Sequence, residues 1–310
     1  MAIKKKKRGL PKGEASVNSR LIRRPIQKWF PLFVLPTIAA FCIGFIGPFI
    51  WGIYLSFTTF NTPRDAVWTG FSNYVRAFSD PSFLNAFKNT ALVAVVSIVL
   101  INVCAFAVAY ALTQKLRGSN LFRTVFFMPN LIGGVVLGYI WKLIFDAILK
   151  GYGTYLTANA TYGFWGLIIL MAWQQIGYMM IIYIAGLQSV PEDMLEAAKI
   201  DGANRWQTLW RVTIPNVMPS ITICVFLTLT NSFKLFDQNM ALTGGAPVTT
   251  LPTGEQISQT EMLALNILST YNINRNWHGV AQAKAVIFFV FVAIIALLQL
   301  RATRSKEVQQ

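Results

Sequence analysis

Four carboxylates, two tryptophans and two adjacent alanines are gathered between Pro191 and Pro215: Glu192, Asp193, Glu196 and Asp201, Trp206 and Trp210, Ala197 and Ala198. Their chemistry is recognition, not bond making. Carboxylates offer charge-assisted hydrogen bonds to a basic partner, indole rings offer large apolar contacts, and alanines permit close approach. A helix carrying two Trp residues also fits a second role, adsorbed flat at the lipid interface. Another group, Trp173, Gln174 and Gln175, sets an aromatic face beside two amides. That pairing suits a sugar, with an apolar face to stack and hydroxyls to hydrogen-bond. Asn231, Lys234 and Asp237 extend the same set along the chain. The plainer alternative is hydrogen bonding between membrane helices for the amides and a surface ion pair for Lys234 and Asp237.

Bond-making chemistry has little support. An enzyme needs clustered acid, base, nucleophile or metal ligands, and the sequence offers one histidine, His278, read as a solvated loop side chain. Cys42, Cys104 and Cys224 all fall in apolar runs, with neither a disulfide framework nor metal-ligand spacing. There is no G-x-x-x-x-G-K-[ST] phosphate loop, so energy for any uphill process must come from another subunit or from an ion gradient. A secondary transporter of a polar solute is the competing reading. It calls for ionisable residues at mid-membrane, which the apolar runs scarcely provide.

The elements that hold these residues follow from composition. The 310 residues are 55% hydrophobic and 13% charged, with a mean hydropathy of +0.50, too apolar for an ordinary soluble chain. The runs approach the ~20 residues that a helix needs to cross the hydrocarbon core and do not alternate as barrel strands would. Six helical spans are expected, 30–57, 90–112, 122–145, 164–187, 217–233 and 280–300, in an all-α polytopic fold. Pro129, Gly133 and Gly134 predict a kink or an unwound stretch in the third. Lys284 at the start of the sixth either snorkels to outer headgroups or lines a cavity, and Asn102 in the second is read as a helix-to-helix contact.

Lys and Arg stay cytoplasmic in short loops. The basic residues of 4–28, then Lys115, Arg117 and Arg123, then Lys199, Arg205 and Arg211, then Arg301, Arg304 and Lys306 share one side if both termini are cytosolic. Residues 1–28 read as a basic cytoplasmic arm without apolar periodicity, 29–303 as the six-helix domain and 304–310 as a cytoplasmic tail. The formal net charge of +15 is assigned to topology and anionic lipid, not to nucleic acid. In the outer loops, Phe71, Tyr74 and Phe78 suit an interfacial helix, and "EMLALNILSTY" a short surface helix.

The segment 189–215 then lies in the cytosol between spans four and five. Ser189 with Glu192 forms a capping-box pattern for a helix running to about Ile200, and Gly202 fits the left-handed residue past its end. Asn204 with Gln207 repeats the pattern for a second helix, expected to stop before Pro215. The stretch "EAAKIDGANRWQTLWRVTIP" resembles the EAA motif of membrane permease subunits of type I ABC importers. The match falls on Glu196, Ala197, Ala198, Asp201, Gly202, Ala203 and Pro215, with Ile214 where Leu is commoner. The resemblance covers the core: "RTVFFMPN", "WQQIGYMMIIYIAGLQSVPEDMLEAA", "FKLFDQNMALTGGAP" and "GVAQAKAVIFF" are similar to the carbohydrate-uptake branch, first-permease group.

That resemblance implies a non-catalytic transport subunit in a bacterial or archaeal plasma membrane, serving import of oligosaccharides or of glycerol-phosphate-like solutes. It implies a second homologous permease, most often a different chain, two ATP-binding subunits and an extracytoplasmic solute-binding protein. ATP and Mg would be held by the partner ATPases, with no cofactor on this chain. The EAA hairpin would dock in a cleft of the ATPase and pass its closure to the spans.

Overall fold

The computed structural model describes residues 29–114, 117–273 and 275–304; the basic arm, Lys115 and the tail beyond 304 lie outside them. The chain divides into two compact units, Met1–Tyr54 and Leu55–Gln310. Helix α1, Trp29–Ser56, carries no charged residue. Its aromatic side chains stack at helical spacing, Phe41 on Phe45 at 5.2 Å and Phe45 on Phe49 at 6.0 Å. Cys42–Ile46 form a π-helical turn just before Gly47 and Pro48. Proline has no N–H, and its ring collides with the carbonyl four residues back; a widened turn at that place removes both conflicts.

In the second unit a two-stranded ribbon, β1 Thr58–Thr59 and β2 Val67–Trp68, leads to α2, Ser72–Ser79. The helix expected here forms, with Phe71, Val75 and Phe78 exposed and Asn73 and Ala77 buried, while Tyr74 of the expected trio is half-buried with its hydroxyl 2.6 Å from Ser56 Oγ. Asp80 then starts α3, Pro81–Leu112, its Oδ1 accepting the Ser82 N–H at 2.9 Å while Pro81 occupies the first helical position. At about 1.5 Å per residue α3 is about 48 Å long, beyond the ~30 Å hydrocarbon core, so its first turns stand clear of the apolar run.

The third expected span is not one helix. α4, Ser119–Phe127, passes through a 3₁₀ turn, Met128–Leu131, and after Ile132 and Gly133 the chain resumes as α5, Gly134–Lys150, bent by 102°. Ile132 and Gly133 are both extended, with ψ of 131° and 142°. The expected kink is therefore a full break: Pro129 opens the turn and two non-helical residues redirect the axis. α6, Ala160–Gln188, is capped by Asn159, whose Oδ1 accepts the Thr161 N–H at 2.8 Å. α7 is Glu192–Ile200. α8 is continuous over Arg205–Phe233 and contains a second π-helical turn, Leu209–Thr213. α9, Asp237–Leu242, the hairpin β3 Val248–Thr250 with β4 Gln256–Ser258, and α10, Leu263–Ile273, lead into α11, His278–Arg304.

Side-chain pairs fix the relative directions. Leu92 and Phe164 share a cavity near the starts of α3 and α6, and Tyr183 meets Asn102 further along both, so these two helices run parallel. α8 runs against α6, pairing Cys224 with Met179 and Asn231 with Gln175. α11 runs against α8, with Phe288 beside Phe233 and Gln299 bonded to Thr222. Two parallel neighbours require the chain between them to return through the same thickness. The broken pair α4 and α5 is that return, and counting it gives the six expected spans. α4 can lie against α6 because Gly177 has no side chain: a Cβ there would overlap the Phe126 carbonyl.

The core gathers on α3, α6 and α8, around Ile101, Met171, Met179 and Val217. Within it the Tyr183 hydroxyl donates to Asn102 Oδ1 at 2.7 Å, and the Asn102 amide donates to Thr228 Oγ1 at 3.2 Å. Asn102 is thus the helix-to-helix contact that was expected. α10 forms as expected with one side at the surface, where Leu268, Tyr271 and Ile273 are exposed, and its other side buried at Leu263, Leu265, Asn266 and Thr270. One outer-loop expectation is corrected. His278 is not a solvated loop residue: it opens α11, stacked on Tyr271 at 4.1 Å with Phe60 at 5.6 Å.

Candidate functional site

The hairpin from Pro191 to Pro215 is built by local signals. Ser189 does not cap α7 as its sequence pattern suggests. It ends α6, donating from Oγ to the Gly186 carbonyl at 2.8 Å, and α7 begins behind Pro191 without a side-chain cap. Glu192 and Asp193 instead face the positive end of the α7 dipole. The exit is as expected: Gly202 takes φ +77°, a left-handed value that penalises any Cβ. Ala203 N–H reaches the Ala198 carbonyl at 2.9 Å and Gly202 N–H that of Lys199 at 3.1 Å, the paired bonds of a Schellman ending. The second capping box is complete, with Gln207 N–H on Asn204 Oδ1 at 2.8 Å and Asn204 N–H on Gln207 Oε1 at 2.9 Å.

The second helix does not stop before Pro215. The Leu209–Thr213 π turn precedes that proline as Cys42–Ile46 precedes Pro48. The Asn216 amide donates to the Val212 carbonyl at 2.7 Å, taking up an acceptor inside the widened turn. The second helix of the hairpin is therefore continuous with the α8 span, and α7 is joined to it through the turn at 201–204. Glu196, Ala197, Asp201 and Gly202 are exposed, Ala198, Ala203 and Pro215 half-buried. Met194, Ile200, Trp206 and Trp210 leave apolar surface uncovered, with Trp206 against Trp210 edge to face at 5.7 Å. Leu195 turns the other way and packs on the core.

The second candidate group separates into two kinds of residue. Gln174 and Gln175 are buried and already bonded. Gln174 Nε2 donates to the Ile132 carbonyl at 3.2 Å, its Oε1 accepts from Gln238 Nε2 at 2.9 Å, and Gln175 Oε1 accepts from Asn231 at 3.2 Å. Backbone freed from helix inside a membrane must find a protein partner, and Gln174 provides one at the break in the third span. Trp173 is exposed, edge-on to Trp141 at 5.4 Å. Lys234 and Asp237 are exposed, and the surface ion pair read for them does not form.

Among the described residues the ion pair present is Lys284 with Asp80, Nζ to Oδ2 at 2.5 Å. Lys284 is 0% exposed, so it neither snorkels nor lines an open cavity. Its ammonium also donates to Thr270 Oγ1 at 2.6 Å and Asn266 Oδ1 at 3.0 Å, while Asn266 donates to Glu261 Oε2 at 2.8 Å. This hub joins α3, α10 and α11. Sequence pattern did not reveal it, because Asp80 and Lys284 lie 204 residues apart and each has an innocent local reading.

A family profile described as "Binding-protein-dependent transport system inner membrane component" matches residues 114–306. The chain is 44% identical over 290 residues to a probable starch degradation products transport system permease protein of Thermoanaerobacterium thermosulfurigenes, covering 91% of this chain and 96% of that one. It is 30% identical over 298 residues to a multiple sugar-binding transport system permease protein of Streptococcus mutans, covering 93% and 99%. In fold it is similar to a chain of a bacterial ABC transporter involved in the import of the acidic polysaccharide alginate, with TM-score 0.74, 21% identity and coverage of 92% and 99%. The broken third span, the continuous α8 and the exposed hairpin thus occur in a chain that belongs to the binding-protein-dependent transport system inner membrane components, the membrane-spanning permease subunits of ABC importers.

Proposed function

We propose that this chain carries oligosaccharide, of the kind released from starch, across the plasma membrane as one half of a permease pair, with its termini and the 191–215 hairpin in the cytosol. The relatives named for starch degradation products and multiple sugars support the solute class. Two ATP-binding subunits supply the energy, with ATP and Mg held on them, and an external binding protein delivers the solute. A different companion permease completes the pore. The observation that carries the coupling role is the hairpin itself: closed by the Gly202 ending and the Asn204–Gln207 box at its turn, exposed, with Met194, Ile200, Trp206 and Trp210 uncovered, and joined through its second helix without a break to a membrane span.

A docked partner would cover Trp206, Trp210 and Met194, while Glu196 would meet a basic residue in its cleft. Closure of the ATPases then displaces the hairpin, and because α8 has no loop between hairpin and membrane, the displacement reaches the span. Trp173, Asn231, Lys234 and Asp237 remain candidates for the solute path, while Gln174 and Gln175 act by positioning, holding the broken third span and Asn231 in place.

The test is co-purification. Glu196→Lys and Gly202→Val are expected to insert normally but to lose at least about ten-fold in ATPase capture, equivalent to ~1.4 kcal/mol, and to abolish uptake. Normal capture and normal uptake by both variants would overturn the coupling assignment.

A further inference from the structure

A cavity of about 330 Å³ opens where the starts of α3 and α6 meet the segment after β4. We propose that it is a receiving subsite for one pyranose ring of the incoming oligosaccharide, at the external mouth of the permease; the proposal rests on the carbohydrate reading above. It is separate from the mid-span amides, since Phe164 precedes Gln174 by ten residues, about 15 Å along α6.

The lining has two faces. Leu92, Phe164 and Met262 give an apolar wall, and Lys88, Thr161 and Gln259 a polar rim. A pyranose has the same two faces: C–H groups that leave water for an apolar wall, and hydroxyls that need donors and acceptors. Lys88 is exposed and forms no ion pair among the described residues, so its three N–H donors are open to hydroxyl oxygens. The volume lies at the lower end of that of small-molecule pockets, room for a ring and not for a whole oligosaccharide.

The walls are fixed in advance. Asn85 donates to the Ser258 carbonyl at 3.0 Å, Asn89 to that of Gln259 at 2.6 Å, and Thr90 Oγ1 accepts the Leu263 N–H at 2.9 Å. Three α3 side chains thus staple the segment after β4 against that helix. From the other side Asn239 donates to the Thr260 carbonyl at 2.9 Å. Behind this wall stands the Lys284–Asp80 hub, through Glu261 and Asn266. A concavity held this way does not collapse when empty, which lowers the ordering cost of binding.

The test uses the complete complex, with companion permease, ATPases and binding protein, in proteoliposomes, and maltotriose as probe. Thr161→Val with Phe164→Leu, and separately Lys88→Gln, spare the stapling residues. At saturating loaded binding protein, the double variant is expected to lose about five-fold or more in maximal uptake and Lys88→Gln about three-fold, roughly 1 and 0.6 kcal/mol of solute recognition. Basal ATP hydrolysis and the binding-protein concentration giving half-maximal ATPase stimulation should stay unchanged. Uptake unaltered in both variants overturns the subsite. So does a parallel weakening of binding-protein docking, which would make the cavity a socket for a protein side chain. A wild-type complex whose ATPase responds to binding protein but which takes up no maltotriose overturns the carbohydrate reading together with the subsite.

Discussion

Lys284 is the residue at which burial and charge conflict most sharply. A fully buried ammonium is tolerated because Asp80, Asn266 and Thr270 all accept from it. Removing one partner of a buried pair costs about 3–5 kcal/mol, mostly from the charge left behind. Lys284→Met should fall near the lower limit, since Asp80 is 14% exposed and still caps α3. Asp80→Asn, which strands the ammonium, should cost more, and the double variant should recover part of that loss. Thermal melting of the detergent-purified protein reads all three. Tyr183→Phe is the contrast: it removes one hydrogen bond to Asn102, and hydrogen bonds between membrane helices average about 0.6 kcal/mol. A melting shift as large as that of Asp80→Asn would contradict this ranking.

At the scale of elements, the two π turns before Pro48 and Pro215 solve one problem in the same way. In α8 the solution also sets the angle of the hairpin around the helix axis, since the widened turn absorbs one extra residue within about the sweep of four α residues. Pro215→Ala removes the need for it, and relaxation to α geometry with every residue retained would rotate the hairpin by about 100° relative to the span. Expression should persist while ATPase capture falls. Deleting Val212 in the same variant takes up the extra residue and should restore the capture, and failure of the deletion to rescue would show that the turn is not what orients the hairpin. The α4–α6 contact makes a separate prediction. Gly177→Ala has no relaxed arrangement, because the obstacle is the Phe126 backbone. An overpacking cost of about 1–3 kcal/mol or more follows, read as lower folded yield, whereas Gly202→Ala, at an exposed turn, should cost only about 1 kcal/mol.

For the whole molecule, the parallel run of α3 and α6 requires the broken pair to count as a crossing. Single cysteines introduced at Ala197 and at Lys88 test this, since the fold puts them at opposite ends of α6 and α3. With both termini inside, Ala197→Cys should react with a membrane-impermeant thiol reagent only after the membrane is opened, and Lys88→Cys in sealed cells. Labelling of both from the same side would contradict the six-crossing arrangement.

Local chemistry was enough to place the hairpin. The Asn204–Gln207 box, the Gly202 ending and the apolar runs are decided by residues within a few positions of one another, and those interactions are already complete in the sequence. So was the existence of a fault at Pro129 and Gly133, though not its 102° size, because the angle depends on what accepts the broken ends: Gln174 on one side, and α9 packed on α5 through Gly138 and Ala241 on the other. Ser189 and Pro215 were misplaced for a related reason. Each had a valid local role, and the neighbouring helix turn chose a different one. Tertiary structure alone decided the Lys284–Asp80 pair, the satisfied amides of Gln174 and Gln175 and the cavity beside Phe164. Each is a meeting of segments far apart in sequence, brought together when apolar faces pack, and no spacing along the chain records which polar group will be waiting there.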